Sequence, residues 1–188
     1  LRSYNSGKPL LTNPNSRAIF VRTINACWNW GVKTGLIDKA NKLVEDTKGV
    51  ARQRVYSKDE LDLMFNEIRN NDFNRFVKFA YYTGARSGEI RHLQPQNLSD
   101  GSLVAFGKTG RRIIKISTQA STLIAKQSPL WNYSKDYVSH HFKKEVCRLG
   151  IKDARFHDLR RTFGLNLIKQ GMSIYKVSKL LGHKSVRT

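Results

Sequence analysis

Four short stretches of this sequence place cationic and titratable side chains where phosphate chemistry would need them. Arg86 follows Gly84-Ala85, where an apolar helical pattern stops, and Glu89 comes three residues later. A carboxylate at that spacing can hold a guanidinium in one orientation, and a fixed guanidinium suits bidentate binding of phosphate. Lys108 lies in GKTGR between two apolar runs, so it sits at a hairpin tip from which an ammonium can reach a groove or a leaving group. In RFHDLRRTF, His157 and Arg160 are three apart and share a helix face. They pair an imidazole that titrates near neutral pH with a permanent cation. In LLGHKS, Gly182 breaks a helix and presents His183. Each feature alone has an ordinary structural explanation as a solvated arginine, a turn lysine or a packed histidine.

Other chemistries fit less well. His140, His141, Cys147, His157 and His183 lack two-plus-two ligand spacing, and adjacent His140 and His141 point to different sides of a helix, so no metal is expected. There is no GxSxG elbow for a serine nucleophile and no glycine-rich phosphate cradle. No cofactor is expected. Cys27 and Cys147 fit no CxxC spacing and are read as buried thiols of a reducing compartment.

The positioning elements are mostly helices. Asn15 and Ser16 offer an N-cap, after which Ile19, Phe20, Ile24, Cys27 and Trp28 recur at helical steps until Gly35. One such helix cannot bury its own apolar face and needs a partner surface. The polar, aperiodic run EDTKGVARQRV reads as a linker. Ser57 and Glu60 form a capping box ahead of Leu61, Met64, Phe65 and Ile68. Further helices are expected over about 72–83, from Arg86 in a short turn, over 118–126, 134–149 and 158–169, and from Ser173 to Leu181. Residues 103–106 and 113–116 flank the Lys108 turn as a β-hairpin. Tyr81 and Tyr82 read as core.

The chain has 188 residues, with 34 Lys and Arg against 14 Asp and Glu, a formal charge of +20. That balance favours a polyanion as partner: duplex DNA, RNA or an anionic membrane surface. No run approaches the ~18 apolar residues that a bilayer span requires, and no secretion signal opens the chain. The basic residues are spread through every segment, which suits a clamp around duplex DNA. Arg52, Arg54, Lys108, Arg111 and Arg112 are expected at that DNA surface.

The joint order of these elements is specific. An arginine in TGARSGEI, a lysine in a hairpin, HxxR opening a helix and LGH closing the next one resemble the tyrosine recombinase, or phage integrase, family over about residues 57–188. Residues 15–37, with CWNWGVKTGLI, are similar to the last helix of that family's core-binding domain. The resemblance implies a mainly α catalytic domain with a small antiparallel sheet (α+β). It also implies the division 1–45, end of a core-binding domain; 46–56, linker; 57–188, catalytic domain. By position, Arg86 and Arg160 would clamp the scissile phosphate and stabilise a pentavalent phosphorane. Glu89 would orient Arg86, and Lys108 would protonate the departing 5′-oxygen. His157 would assist proton transfer at the nucleophile or hydrogen-bond the phosphate, and His183 would bind the phosphate from the opposite side.

The family's nucleophilic tyrosine falls nine residues past the LGH histidine, here position 192, beyond Thr188. The nucleophile is therefore expected outside this chain, and Tyr175, which precedes His183, does not take the role. The resemblance implies a cytoplasmic, nucleoid-associated recombinase, monomeric in solution, that meets duplex DNA and other protomers. A DNA-binding regulator without catalysis, or a nicking enzyme like type IB topoisomerases, is the alternative.

Overall fold

The computed structural model describes residues 13–43, 51–99, 101–107, 110–124 and 130–183. The chain divides into two units, 1–53 and 54–188. The division falls inside the 46–56 stretch, of which 46–50 lie outside the described residues.

In the first unit, helix α1 runs Pro14–Lys33. Its cap is Asn13, whose Oδ1 accepts from the N–H of Asn15 at 2.9 Å and of Ser16 at 3.3 Å. The cap precedes the expected Asn15 and Ser16 because Pro14 fills the first helical position, where its missing donor costs nothing. Ala18, Val21 and Gly31 form the buried stripe. Ile19 and Phe20, expected on the covered face, are exposed. Asn25 exchanges two hydrogen bonds with the Leu43 backbone, at 3.1 and 2.8 Å, and so pins the returning chain to α1.

The second unit opens with α2 (Lys58–Glu67) behind the capping box: Ser57 N–H donates to Glu60 at 2.9 Å, and Glu60 N–H to Ser57 Oγ at 3.1 Å. Helix α3 (Asn71–Thr83) follows, with Phe73, Phe76, Val77, Phe79 and Ala80 on its buried side. Asn74, also inside, donates to the carbonyls of Phe65 (2.9 Å) and Ile68 (3.3 Å), tying the end of α2 to α3. After α4 (Ser87–Arg91) and a 3-10 turn, three antiparallel strands pair in sequence order: β1 (Leu98–Ser99), β2 (Ser102–Gly107) and β3 (Gly110–Lys115). The two-residue β1 is too short to leave an alternating pattern in the sequence. Helix α5 is only Thr118–Ser121. The hydroxyls of Ser121 and Thr122 donate back to the carbonyls of Thr118 and Gln119, a local alternative that competes with helix propagation toward residue 126. Then come α6 (Lys135–Arg148), α7 (Asp158–Lys169) and α8 (Ile174–Leu181).

The core is aromatic. Trp131 packs against Phe79 at 5.1 Å and Phe76 at 5.6 Å between ring centres, and Phe142 and Met64 complete it. Tyr81 and Tyr82 are half-buried against this core through Phe65. Two expectations change. Cys27 and Cys147 are exposed. Cys147 follows buried Val146 on α6, and one helical step turns it outward. The architecture is mainly helical with a small antiparallel sheet, as expected. Among the described residues no helix is long and apolar enough to cross a membrane.

Candidate active site

The site forms where the C-terminal ends of α3 and α8 meet the start of α7. Helix α3 stops because Gly84 turns left-handed at φ 61°. A side chain there would strike Phe163 at 2.5 Å and Leu181 at 2.9 Å, so only glycine lets α7 and α8 close on this corner. Arg86 is then the cap residue of α4, with Glu89 in its first turn. Glu89 accepts from the Arg86 backbone N–H and from its guanidinium, both at 2.7 Å. The i, i+3 spacing thus fixes Arg86 as the sequence predicts. Glu89 is almost fully buried, whereas the Arg86 side chain keeps 31% exposure.

Helix α8 ends in a Schellman turn. Gly182 N–H bonds to Lys179 O at 2.9 Å, and His183 N–H to Ser178 O at 3.0 Å. Two carbonyls of that end remain, and two arginines meet them. Arg112 donates to Leu180 O at 2.7 Å, and Arg160 donates to Leu181 O. Cations at a helix C-terminus also suit its partial negative charge. Arg160 donates as well to Gly84 O at 2.6 Å, so one buried guanidinium joins the ends of α3 and α8. Those two bonds leave the remaining N–H donors of its five for an anion.

His157 caps α7 without a side-chain cap bond. It lines a cavity of about 460 Å³ with Arg160, Ser178 and His183. It also lines a neighbouring one of about 590 Å³ with Arg86, Glu89, His92 and Lys135. His157 therefore borders both the cavity that Arg160 lines and the one that Arg86 lines.

Electrostatics set the character of the site. Burial, then Arg86 and Arg112, push the Arg160 guanidinium down to about 9, with Glu89 opposing. It remains charged at neutral pH. Burial alone would raise Glu89, but bonds from Arg112 and from the Arg86 backbone, then Coulombic attraction to Arg112, hold it down to about 2. His157 is reached by solvent on one side and crowded by protein on the other. That crowding, then Arg160, Arg161 and Arg86, lower its pKa, with Asp158 opposing. His183 is lowered by burial, then by Arg160, Arg86 and Arg112. Glu89 is bonded to two guanidiniums, Arg86 and Arg112, and acts on the third, Arg160, through Coulombic attraction alone. The corner therefore carries excess positive charge, which a phosphodiester would neutralise.

The sequence-predicted residues fall as follows. Arg86, Glu89, His157, Arg160 and His183 come together. Lys108 lies outside the described residues. Arg111 is exposed on β3, opposite Phe106 in register. Arg52 is half-buried. Arg54 is turned into the protein: it bonds Glu60 and the Val55 carbonyl, and its guanidinium lies 5.1 Å over the Tyr56 ring. Arg112 differs most from expectation. Its side chain is only 11% exposed and grips Glu89 at 3.0 and 2.8 Å, so it sits behind the site and not on an open DNA surface. Tyr175 is exposed on α8, with the Lys179 ammonium 4.7 Å over its ring. Sequence reading missed Lys135, which lines the Arg86 cavity from the first turn of α6. No local pattern marks it, because the other residues of that cavity lie 22 to 49 positions away in the sequence.

The family model of the phage integrases matches residues 113–188, from β3 past His183. The tyrosine recombinase XerA of Saccharolobus solfataricus is 24% identical over 152 residues, covering 74% of this chain and 52% of that protein. A tyrosine recombinase of Thermosipho africanus is 24% identical over 193 residues, covering 90% and 68%. The chain thus spans about half the length of the first relative. Among solved structures, a lambda integrase tetramer bound to a Holliday junction matches with TM-score 0.76 at 20% identity, covering 93% of this chain and 60% of that one. The catalytic domain of bacteriophage HP1 integrase matches at 0.62 and 22%, covering 72% and 83%. The fold is that of the integrase catalytic domain.

Proposed function

We propose that this chain carries the phosphate-activating part of a site-specific DNA recombinase, which breaks and rejoins duplex DNA through a 3′-phosphotyrosyl intermediate. The observation that carries the reading is the convergence of Arg86 and Arg160 on one corner, with His157 lining both adjoining cavities. In this reading a tyrosine oxygen attacks the scissile phosphorus and the 5′-oxygen leaves. Arg86 and Arg160 bind the non-bridging oxygens and stabilise the charge of the phosphorane. His183 hydrogen-bonds the same group, and His157 holds or moves the nucleophile's proton. Lys108 gives a proton to the leaving oxygen. Crowding by protein and the neighbouring guanidiniums lower both histidines, which favours the neutral imidazole. Neutral imidazole is the form that can accept a proton.

The partners in this reading are duplex DNA and further recombinase protomers on it, and the place of action is the cytoplasm beside the nucleoid. The curated relatives named tyrosine recombinases and the integrase neighbours solved on DNA support it. Residues 1–45 would belong to a helical core-binding domain and 57–188 to the catalytic domain, joined by 46–56. Free of DNA, the chain would be a monomer.

The test is to extend the chain with whatever its source DNA encodes past codon 188 and incubate it with a nicked duplex that traps cleavage products. The expected result is a Tyr codon at 192 and a covalent protein–DNA adduct through that tyrosine, lost in Arg160→Ala. Binding without any adduct would favour the DNA-binding regulator. Relaxation of supercoils without strand exchange would favour the topoisomerase-like enzyme.

A further inference from the structure

Arg112 is the one arginine of this corner that points at protein in three directions. It reaches the site from β3, where register sets it opposite the small, buried Ala105. Its Nε donates to Glu89 Oε1 at 3.0 Å and one Nη to Oε2 at 2.8 Å, a bidentate pair. The other Nη donates to Leu180 O at 2.7 Å, at the end of α8. The same carboxylate holds the Arg86 guanidinium. The same helix end leads directly into His183. Gly182 makes room for this reach: a side chain there would meet Arg112 Cδ at 2.7 Å, and its φ is 66°.

We infer that Arg112 is a positioning residue of the site, one guanidinium that sets Arg86 through Glu89 and sets the His183 turn through the Leu180 carbonyl. The inference rests on reading the corner as a phosphate site. Its physical basis is geometric. Glu89 has two oxygens and two arginine partners. With Arg112 occupying one side of both oxygens, the carboxylate is fixed in plane and offers Arg86 a single approach. A lysine cannot replace it, because one ammonium cannot span a bidentate carboxylate and a third carbonyl in fixed directions. Strand β3, helix α4 and helix α8 are thereby linked by one side chain, and each of the linked segments carries or adjoins a phosphate-facing group.

The test uses arginine-selective ¹⁵N labelling of the chain, with and without duplex DNA, together with Arg112→Lys, Arg86→Ala and the double variant. In the unsubstituted chain, Arg112 guanidinium signals are expected to be slow-exchanging before DNA is added and little moved by it, while Arg86 signals move. Arg112→Lys is expected to weaken DNA binding about fivefold to tenfold, and by less than that in the Arg86→Ala background, since one of its two routes runs through Arg86. A purely structural residue would instead lower the unfolding midpoint and leave the affinity of the folded fraction unchanged. Arg112 signals that move with DNA as much as those of Arg86 would overturn the inference, as would single-variant effects that multiply. These spectra decide the matter even if the substituted chains do not fold. An unsubstituted chain that binds no duplex removes the phosphate reading and the positioning role together. Unaltered affinity in Arg112→Lys beside a binding parent removes only the latter.

Discussion

Helix α3 serves two surroundings that solve opposite problems. Along its length, Phe73, Phe76 and Phe79 are fully buried, and Trp131, Tyr133 and Phe156 close over them at ring distances of 5.1 to 5.7 Å, with Phe142 behind Phe156 at 5.4 Å. The apolar surface of this region is satisfied by its own contacts. Past Gly84 the same helix delivers Arg86, and there burial is combined with unbalanced charge. Arg160 is 4% exposed and lowered, His157 and His183 are lowered, and Glu89 alone opposes three guanidiniums among the described residues. The difference teaches where each part of the sequence acts. The aromatic region holds the corner in shape, and the corner keeps an electrostatic demand that folding leaves unmet.

Substitutions sharpen that contrast. Phe76→Ala should have the largest effect, about 3–5 kcal/mol of stability from lost transfer and cavity terms. Urea unfolding measures it, and the DNA affinity of the folded fraction should stay as it was. Glu89→Gln should act in the opposite way. The Glu89 carboxyl is held at about 2, against its ordinary 4.5. Its stabilisation is therefore complete above 4.5 and is lost as pH falls from 4.5 toward 2, about 3 kcal/mol in all. Unfolding measured across that range should show the acid limb flattened in Glu89→Gln, with duplex binding weakened at neutral pH because Arg86 loses its anchor. A parent and variant with the same acid limb would separate Glu89 from the arginines. The smallest effect belongs to Tyr175→Phe. Its ring lies exposed under Lys179, so stability should move by no more than about 0.5 kcal/mol. DNA binding should be unchanged by gel shift. A large loss would bring Tyr175 into the chemistry.

Local features were legible in the sequence because their physics is local. Ser57 with Glu60, Ser134 ahead of α6, Ser173 ahead of α8 and the stops at Gly84 and Gly182 all act within a few residues. The Arg86–Glu89 pair belongs to the same class, as does the joint face of His157 and Arg160. What stayed hidden depends on which face of an element turns inward. Ile113 and Ile114 are equally apolar, yet Ile114 is buried and Ile113 is 63% exposed. That choice alone puts Arg112 on the inward face and Arg111 outside. Arg160 joining Gly84 to Leu181 spans 76 and 21 residues, and no spacing rule reports it. Arg54 shows its charge in the sequence, whereas its partners Glu60 and Tyr56 are set by the fold.

The central claim is that this corner receives a phosphate, and the histidines report on it directly. Both are lowered by crowding and by the arginines around them. A phosphate bound between Arg86 and Arg160 offsets that positive field and offers each imidazolium an acceptor. NMR titration of His157 and His183 with and without duplex DNA should show both pKa values below the ordinary 6.5 in the free chain and raised when DNA is bound. His140, exposed on α6, serves as the internal control. If DNA binds and the pKa values of His157 and His183 do not move, the phosphate lies elsewhere and the account is wrong.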